Sequence, residues 1–351
     1  MFSLIVVAFI SSCGELPPEP QPLTPPSMKG YSYTSFNEHG FEMGVANNAL
    51  SELSQQTGSD FVALNIFLFQ DTCTSTEIYS TTTTSTDEDI RIAVADARAH
   101  NMKVFFKPNV DPVTGAWRGC IQPDVDGVWF RNYKAMIVHY AVLAEELHCE
   151  LFSIGCELIG ATTTANTNNW IDLITAVRSV YHGEITYCAN WSGNSQLNIV
   201  QPEFQQVKFW SYLDYIGIDC YYPLTQSTSD NTPSLRAGLK AIAPFVQQVQ
   251  NVSFTTNKPV IFAECGCPSV LGATDMPWDF QRGLATDAIA DEYTQHMYYA
   301  IMIEALNNKP WFMGFFWWNW ESVPSQNESK NFTVKNKLAA RTLKLYYQQG
   351  N

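Results

Sequence analysis

From Met28 onward, short apolar runs alternate with amphipathic helical patterns about eight times along the chain. The apolar runs begin roughly 40 residues apart, which is the length of one strand, one helix and two loops. Several runs are apolar throughout, as expected for parallel strands covered on both faces. The pattern predicts an α/β fold, a (β/α)8 TIM barrel, formed as one domain by residues 28–351. The predicted strands are Lys29–Ser35, Phe61–Phe69, Lys103–Asn109, Leu151–Glu157, Glu184–Asn190, Tyr215–Tyr221, Pro259–Glu264 and Met313–Trp318.

The clearest helix start lies at Thr86, which is expected to cap a helix over Asp87–Asn101. Acidic residues fill the first turn of that segment, where they interact favourably with the helix dipole. A second helical pattern runs from Ile289 to Ile301, and Lys335–Tyr347 is predicted to form the closing helix.

The N-terminus is predicted to be a targeting segment. Residues 1–12 indicate a signal peptide, because an apolar run too short to span a bilayer is followed by small residues. Residues 13–27 are rich in proline and are expected to form a disordered tether. Ile10-Ser11-Ser12-Cys13 also resembles a bacterial lipoprotein cleavage site, in which Cys13 becomes the lipidated first residue. We therefore expect a secreted protein, with a membrane-anchored lipoprotein as the alternative.

Export permits disulfides, and the chain contains 9 cysteines. Cys73 and Cys120 follow consecutive predicted strands and are the expected bridge. Cys265-Gly266-Cys267 has no partner at the spacing of a zinc site, so the sequence favours no structural metal. The cysteines on strand patterns are expected to be small core residues; they are Cys156, Cys188, Cys220 and Cys265.

The charge balance restricts the class of partner. A formal net charge of −14 argues against nucleic acid, because no basic stripe is present to neutralise phosphates. A soluble protein that handles a neutral or weakly charged substrate is favoured instead.

Two glutamates end apolar strand patterns, Glu157 on the fourth and Glu264 on the seventh. An ionised carboxylate in such a place is costly to bury unless it is paired or used. In a β/α barrel, functional side chains gather at the C-terminal ends of the strands, so these two are expected to face one another across the mouth. Two such carboxyl groups suit a retaining glycosidase, which needs a nucleophile and an acid/base about 5 Å apart. The alternative is a structural ion pair at each strand end.

Polar residues on two other strands are expected near this pair. Lys107 and Asn109 lie on one face of the third strand, where they would bind hydroxyl groups, or Lys107 would pair with a buried carboxylate. Tyr222 follows the sixth strand and would donate a hydrogen bond to Glu264; a tyrosine at the rim is the alternative.

Tryptophans are expected to contact the sugar. Successive side chains alternate faces, so one of Trp317 and Trp318 should form a flat floor and the other should belong to the core. Trp117, on the loop after the third strand, is expected to stack on a neighbouring sugar.

Five segments together resemble glycoside hydrolase family 113 of clan A. They are Lys107-Pro108-Asn109, Ile154-Gly155-Cys156-Glu157-Leu158, Asp214-Tyr215-Ile216-Gly217-Ile218-Asp219-Cys220-Tyr221-Tyr222-Pro223-Leu224, Phe262-Ala263-Glu264-Cys265-Gly266 and Gly314-Phe315-Phe316-Trp317-Trp318. The similarity covers nearly everything from Lys29 to Tyr347. It implies that Glu157 is the acid/base, that Glu264 is the nucleophile, and that the substrate is β-1,4-mannan.

One position departs from the pattern of the clan. Much of the clan has an asparagine directly before the acid/base, where it binds the sugar 2-hydroxyl. This chain has Cys156 at that position. Family 113 generally lacks that asparagine too. Asn190 or Trp191, after the fifth strand, is the candidate for that contact. If Asn190 lines the site, glycosylation of its Asn190-Trp191-Ser192 sequon is sterically implausible.

The sequence and this resemblance together predict an exported, monomeric, retaining β-glycoside hydrolase that requires no metal or organic cofactor. The resemblance implies that it is endo-acting on β-1,4-mannan polysaccharide or oligosaccharide. The alternatives are the same chemistry or transglycosylation on another β-linked glycan, a carbohydrate-binding protein without catalysis, and a structural cell-surface protein.

Overall fold

Eight parallel strands close into a barrel in strict chain order in the computed structural model, which describes residues 26–42, 46–226, 232–325 and 327–348. The strands are β1 (Met28–Thr34), β2 (Phe61–Gln70), β3 (Lys103–Pro112), β4 (Leu151–Cys156), β5 (Glu184–Asn190), β6 (Tyr215–Cys220), β7 (Val260–Cys265) and β8 (Phe312–Glu321). β8 pairs with β1 and completes the ring. The predicted (β/α)8 barrel is therefore confirmed.

Helices follow the strands and cover the outside of the barrel. They are α1 (Ala49–Thr57), α2 (Asp87–Ala99), α3 (Val128–Glu146), α4 (Thr167–Arg178), α5 (Glu203–Gln206), α6 (Leu235–Thr256), α7 (Gln281–Leu284), α8 (Glu292–Leu306) and α9 (Leu338–Gln348). In the described parts of the chain, no helix is both long and apolar enough to cross a membrane.

The inside of the barrel contains an aromatic plug, which we define as Phe61, Phe105 and Phe316. The ring of Phe316 lies 5.1 Å from that of Phe61 and 5.0 Å from that of Phe105, and all three side chains are buried. Because side chains alternate along a strand, Lys107 also faces the interior, two residues beyond Phe105 and nearer the mouth. The plug thus lies beneath the polar layer described below.

The predicted start of α2 holds, although the helix ends at Ala99 and not at Asn101, and the predicted starts of two later helices shift. Thr86 and Asp89 form a capping box, in which each side chain bonds the other's backbone N–H, so α2 begins where predicted. Ile289 lies outside α8, because the carboxylate of Asp291 accepts from two backbone N–H groups and fixes the helix start after itself. Likewise, the closing helix starts at Leu338, three residues later than predicted.

The predicted disulfide is confirmed. Cys73 and Cys120 are bonded with their Cα atoms 5.5 Å apart, which ties the loop after β2 to the loop after β3. The four cysteines predicted to be small core residues, Cys156, Cys188, Cys220 and Cys265, are free and buried. The predictions for residues 1–12, for Cys13 and for nearly all of the proline-rich tether fall outside the described residues.

Candidate active site

The C-terminal ends of the strands surround a cavity of about 1160 Å³. Its aromatic lining consists of Phe36, Phe67, Phe69, Trp117, Trp191, Tyr221, Trp278, Phe280, Trp318 and Phe332. Polar groups from several strands and loops share the lining, among them Glu157, Glu264, Asp111, Arg118 and Asn190. Broad apolar surfaces with a few convergent polar groups are typical of a ligand site.

Glu157 lies directly after β4 and reaches into the cavity. Its backbone adopts the left-handed region, with φ 53°, which is uncommon for a residue other than glycine and is held here by the surrounding hydrogen bonds. Its N–H donates to the carbonyl of Cys188 at 2.8 Å. Burial, and next the negative charge of Glu264, raise the pKa of Glu157 above its ordinary value. A glutamic acid in this environment keeps its proton to a higher pH than one in water.

Two donors orient the carboxyl group of Glu157. The indole Nε1 of Trp117 lies 2.8 Å from Oε2, and the amide Nδ2 of Asn190 lies 2.5 Å from Oε1. Glycine at position 119 leaves room for Trp117 in this position, because a Cβ there would lie 2.6 Å from the indole ring. Asn190 is 5% exposed, so a glycan on its sequon would not fit.

Glu264 lies near the end of β7 and faces Glu157 across the cavity. Its Oε1 accepts a short hydrogen bond from the ammonium of Lys107, and its Oε2 accepts from the hydroxyl of Tyr221 at 2.8 Å. The two glutamates therefore lie in different environments. Burial raises the pKa of Glu157, whereas the carboxylate of Glu264 is bonded to an ammonium and a hydroxyl.

The predicted hydrogen bond from Tyr222 to Glu264 is wrong, and Tyr221 makes it instead. Side chains alternate beyond β6, so the residue two beyond Asp219 faces the barrel axis and its neighbour faces the helices. Tyr222 accordingly stacks on Phe245 of α6, with ring centroids 4.7 Å apart.

A polar layer, which we define as Lys107, Asp219 and Cys156, lies beneath the two glutamates. The Lys107 ammonium is 3.5 Å from Asp219, and the Cys156 thiol donates to Asp219 at 3.0 Å. Burial alone would lower the pKa of Lys107, but the surrounding acidic groups outweigh it and hold that pKa well above the usual range. Burial and the charge of Glu264 raise the pKa of Asp219 well above its ordinary value. Lys107 thus stays charged beside Glu264.

Of the remaining residues predicted to contact the substrate, some line the cavity and others are buried around it. Trp191 and Trp318 line the cavity, as Trp117 does. Trp317 instead lies in the core, stacked between Tyr299 and Phe315 at centroid distances of 4.1 and 4.5 Å. It therefore does not reach a sugar in the cavity, and of the two tryptophans Trp318 lines the cavity while Trp317 belongs to the core, as the alternation of side chains predicted.

Lys107 and Asn109 also differ from the prediction. Both are buried and neither lines the cavity, so direct hydroxyl binding by them is not supported, whereas the alternative of an ion pair for Lys107 is observed. Asn109 accepts from the guanidinium of Arg118 at 2.7 Å. Its role is to hold that side chain.

Sequence reasoning missed several residues that shape the site. Asp219 carried the same signal as the glutamates, since it is an acidic residue on an apolar strand pattern. Arg118 begins a short 3-10 helix, Arg118–Cys120, and gave no signal in the sequence. Its guanidinium contacts Asp111 at 2.7 and 3.0 Å and the Cys156 sulfur at 3.2 Å. Glu203 in α5 is also buried, and burial raises its pKa to about 7.

Among the residues that the structure describes, two groups of side chains offer potential metal ligands within 4.8 Å of one another. In the group of Cys156, Asp219 and Glu264, the ammonium of Lys107 already bonds both carboxyl groups and supplies the positive charge. The other group comprises His39, Glu42 and Asp89, and its Asp89 carboxylate caps α2.

Comparison with known proteins gives relatives of the same architecture. A solved structure of a GH113 β-1,4-mannanase is 27% identical, has a TM-score of 0.78 and matches 92% of this chain and 99% of its own. The GH113 β-mannanase from Alicyclobacillus acidocaldarius, solved in complex with ManMIm, is 25% identical with the same TM-score over 92% of this chain and 97% of its own. A β-glucuronidase from Ruminococcus gnavus, at 13% identity and a TM-score of 0.60 over 92% of this chain and 50% of its own, shares the fold alone. No curated protein sequence matches the chain.

The sequence profile of Glycoside Hydrolase Family 113 matches residues 30–337. Since that match runs from β1 to the residue before α9, and the cavity with its two glutamates lies inside it, this chain is a glycoside hydrolase that belongs to family 113.

Proposed function

We propose that this glycoside hydrolase cleaves β-1,4-linked mannan or manno-oligosaccharides by a retaining, double-displacement mechanism. The observation that carries the proposal is the pair of glutamates that share one cavity but differ in environment. Glu157 has a raised pKa, whereas Glu264 is bonded to a cation and a hydroxyl. A carboxyl group with a raised pKa suits the acid role, and a neighbouring carboxylate bonded to a cation suits the nucleophile role.

The chemistry follows from these two environments. Glu157 in its protonated form gives its proton to the leaving glycosidic oxygen while the Glu264 carboxylate attacks the anomeric carbon and forms a glycosyl ester. Glu157, now ionised, takes a proton from water, which attacks the anomeric carbon and breaks the ester. Glu264 leaves as a carboxylate and Glu157 regains its proton, so the cycle closes.

The choice of mannan is supported by the two β-mannanases that this chain matches over 92% of its length. The aromatic lining supports a pyranose substrate, because flat rings such as Trp318 and Trp191 offer stacking surfaces beside hydrogen-bonding groups. Export remains part of the proposal and is supported by the pattern of residues 1–12 and by the disulfide.

A panel of polysaccharides tests the substrate. We expect the wild-type protein to release reducing ends from β-1,4-mannan faster than from β-1,4-glucan or β-1,4-xylan, and the Glu264→Ala protein to release none above background. Cleavage of another β-glycan in preference to mannan would overturn the substrate assignment. Binding of glycans without cleavage of any would overturn the catalytic proposal as a whole.

The stereochemistry of the product tests the mechanism. If Glu264 forms the covalent intermediate, two successive inversions occur, and the first product released should keep the β configuration of the substrate. Proton NMR recorded before mutarotation distinguishes the anomers. Release of the α-anomer first would mean direct attack by water and would remove Glu264 from the nucleophile role.

A further inference from the structure

Glu203 is a fully buried glutamate behind β4 and β5, and it does not line the cavity. Its carboxyl group accepts from three donors. Oε1 accepts from the hydroxyls of Tyr187 at 2.6 Å and Thr162 at 2.8 Å, and Oε2 accepts from the backbone N–H of Asn190 at 2.7 Å. A buried carboxyl group is costly, so its retention here calls for a reason.

One branch of this network leads from Glu203 to the carboxyl group of Glu157 through Asn190. Glu203 fixes the backbone of Asn190, while the side-chain oxygen of Asn190 accepts from the N–H and the hydroxyl of Ser192 at 2.7 and 2.9 Å. These acceptor contacts set the direction of the side-chain amide, because its oxygen must face Ser192. The Nδ2 of Asn190 is therefore aimed at Glu157.

A second branch leads to the backbone of Glu157 through Tyr187. The Tyr187 hydroxyl gives its hydrogen to Glu203 and accepts from the N–H of Leu158 at 2.7 Å. Leu158 directly follows Glu157, whose backbone is in the left-handed region and whose own N–H is bonded to β5. Glu203 thus supports Glu157 at two points, the carboxyl group through Asn190 and the backbone that directly follows it through Tyr187.

We propose that Glu203 is a positioning residue that orients Glu157 for proton transfer. This inference rests on the proposed function, in which Glu157 is the acid/base. Glu203 touches neither the cavity nor the carboxyl group of Glu157, so it acts through Asn190 and Tyr187. Small displacements of a catalytic group reduce the rate strongly, which is why its supports matter.

The conservative variant Glu203→Gln isolates this role. Glutamine keeps the shape but has one acceptor oxygen, so at least one of the three donors then faces an amide NH2. The backbone N–H of Asn190 cannot rotate away, whereas a hydroxyl can. We expect the orientation of Asn190 or of Tyr187 to change, so that the carboxyl group of Glu157 is less well aligned for proton transfer to the glycosidic oxygen.

The test compares two substrates in the same protein sample. A dinitrophenyl β-mannoside has a leaving group that needs no proton for glycosyl transfer, whereas an unsubstituted manno-oligosaccharide needs one. We expect Glu203→Gln to lower kcat for the oligosaccharide at least about tenfold more than the rate of dinitrophenol release in the first turnover. Because the ratio of the two rates does not depend on the folded fraction, partial misfolding does not mimic this result.

Two further variants make the test decisive. Tyr187→Phe keeps the ring but removes the hydroxyl that joins Glu203 to Leu158, and it should shift the ratio in the same direction. Thr162→Val removes the third donor without touching either branch, so it should leave the ratio unchanged. An unchanged ratio in Glu203→Gln, while Glu157→Gln shifts it, would overturn this inference and leave the proposed function standing. An unchanged ratio in Glu157→Gln itself would overturn the proposed function.

Discussion

Glu264→Ala should lose cleavage of mannan by at least about a thousandfold while the protein stays folded. The loss follows from removal of the group that attacks the anomeric carbon. Folding should persist because Lys107 keeps Asp219 as a partner for its buried charge. Added azide should fill the space left by the carboxylate, attack from the same face and yield an α-glycosyl azide, identified by NMR.

The matched control for this variant is Glu184→Ala. Glu184 is also a strand glutamate, but it begins β5 at the opposite end of the barrel, where its carboxylate accepts from Tyr215. We expect activity close to wild type from this control. If Glu264→Ala retained a tenth or more of the wild-type rate, or gave no azide product, the nucleophile would have to be sought elsewhere.

Glu157→Gln should separate the two chemical steps and change the pH profile. The raised pKa of Glu157 means that its acid form persists above the ordinary value of about 4.3, so in the wild-type protein kcat/KM should fall at high pH as Glu157 loses its proton. The profile should be bell-shaped, with limbs that belong to the coupled pair. In the variant, a dinitrophenyl β-mannoside should still form the glycosyl-enzyme quickly, and the high-pH limb should disappear for that step.

Azide also tests the role of Glu157 as the acid/base. In Glu157→Gln the glycosyl-enzyme remains attached to Glu264, so azide must attack from the opposite face and give the β-glycosyl azide. The two variants should therefore yield azides of opposite configuration. Equal impairment of the first step for activated and unactivated substrates would count against Glu157 as the acid.

The strands and the two glutamates were predictable because burial dictates which residue types a short segment of chain can contain. A parallel strand covered on both faces must be apolar along its length, so its ends and any acidic residue on it stand out in the sequence. The helix cap at Thr86 was predictable for the same reason, since capping involves a few neighbouring residues. These features depend on short stretches of chain.

The site residues that were wrongly predicted or missed are those whose position depends on a shift of one residue along a strand or on a contact with a distant part of the chain. Tyr221 and Tyr222 are adjacent, and the choice between them depends on which face the chain presents after β6. Arg118 contacts the Cys156 sulfur, which lies 38 residues away in sequence, and Glu203 in α5 binds the backbone of Asn190, 13 residues away. No local pattern distinguishes such a residue from a surface charge. The residues that hold the catalytic side chains in place could therefore be identified only from the structure.

The aromatic plug gives the active site one open side. With Phe61, Phe105 and Phe316 closing the barrel from below, a sugar ring in the cavity would exclude the remaining water from Glu264. The attraction between charges grows as the surrounding dielectric constant falls. Substrate entry itself would then strengthen the electric field in which the reaction takes place, because the bound polysaccharide closes the one open side of its own active site.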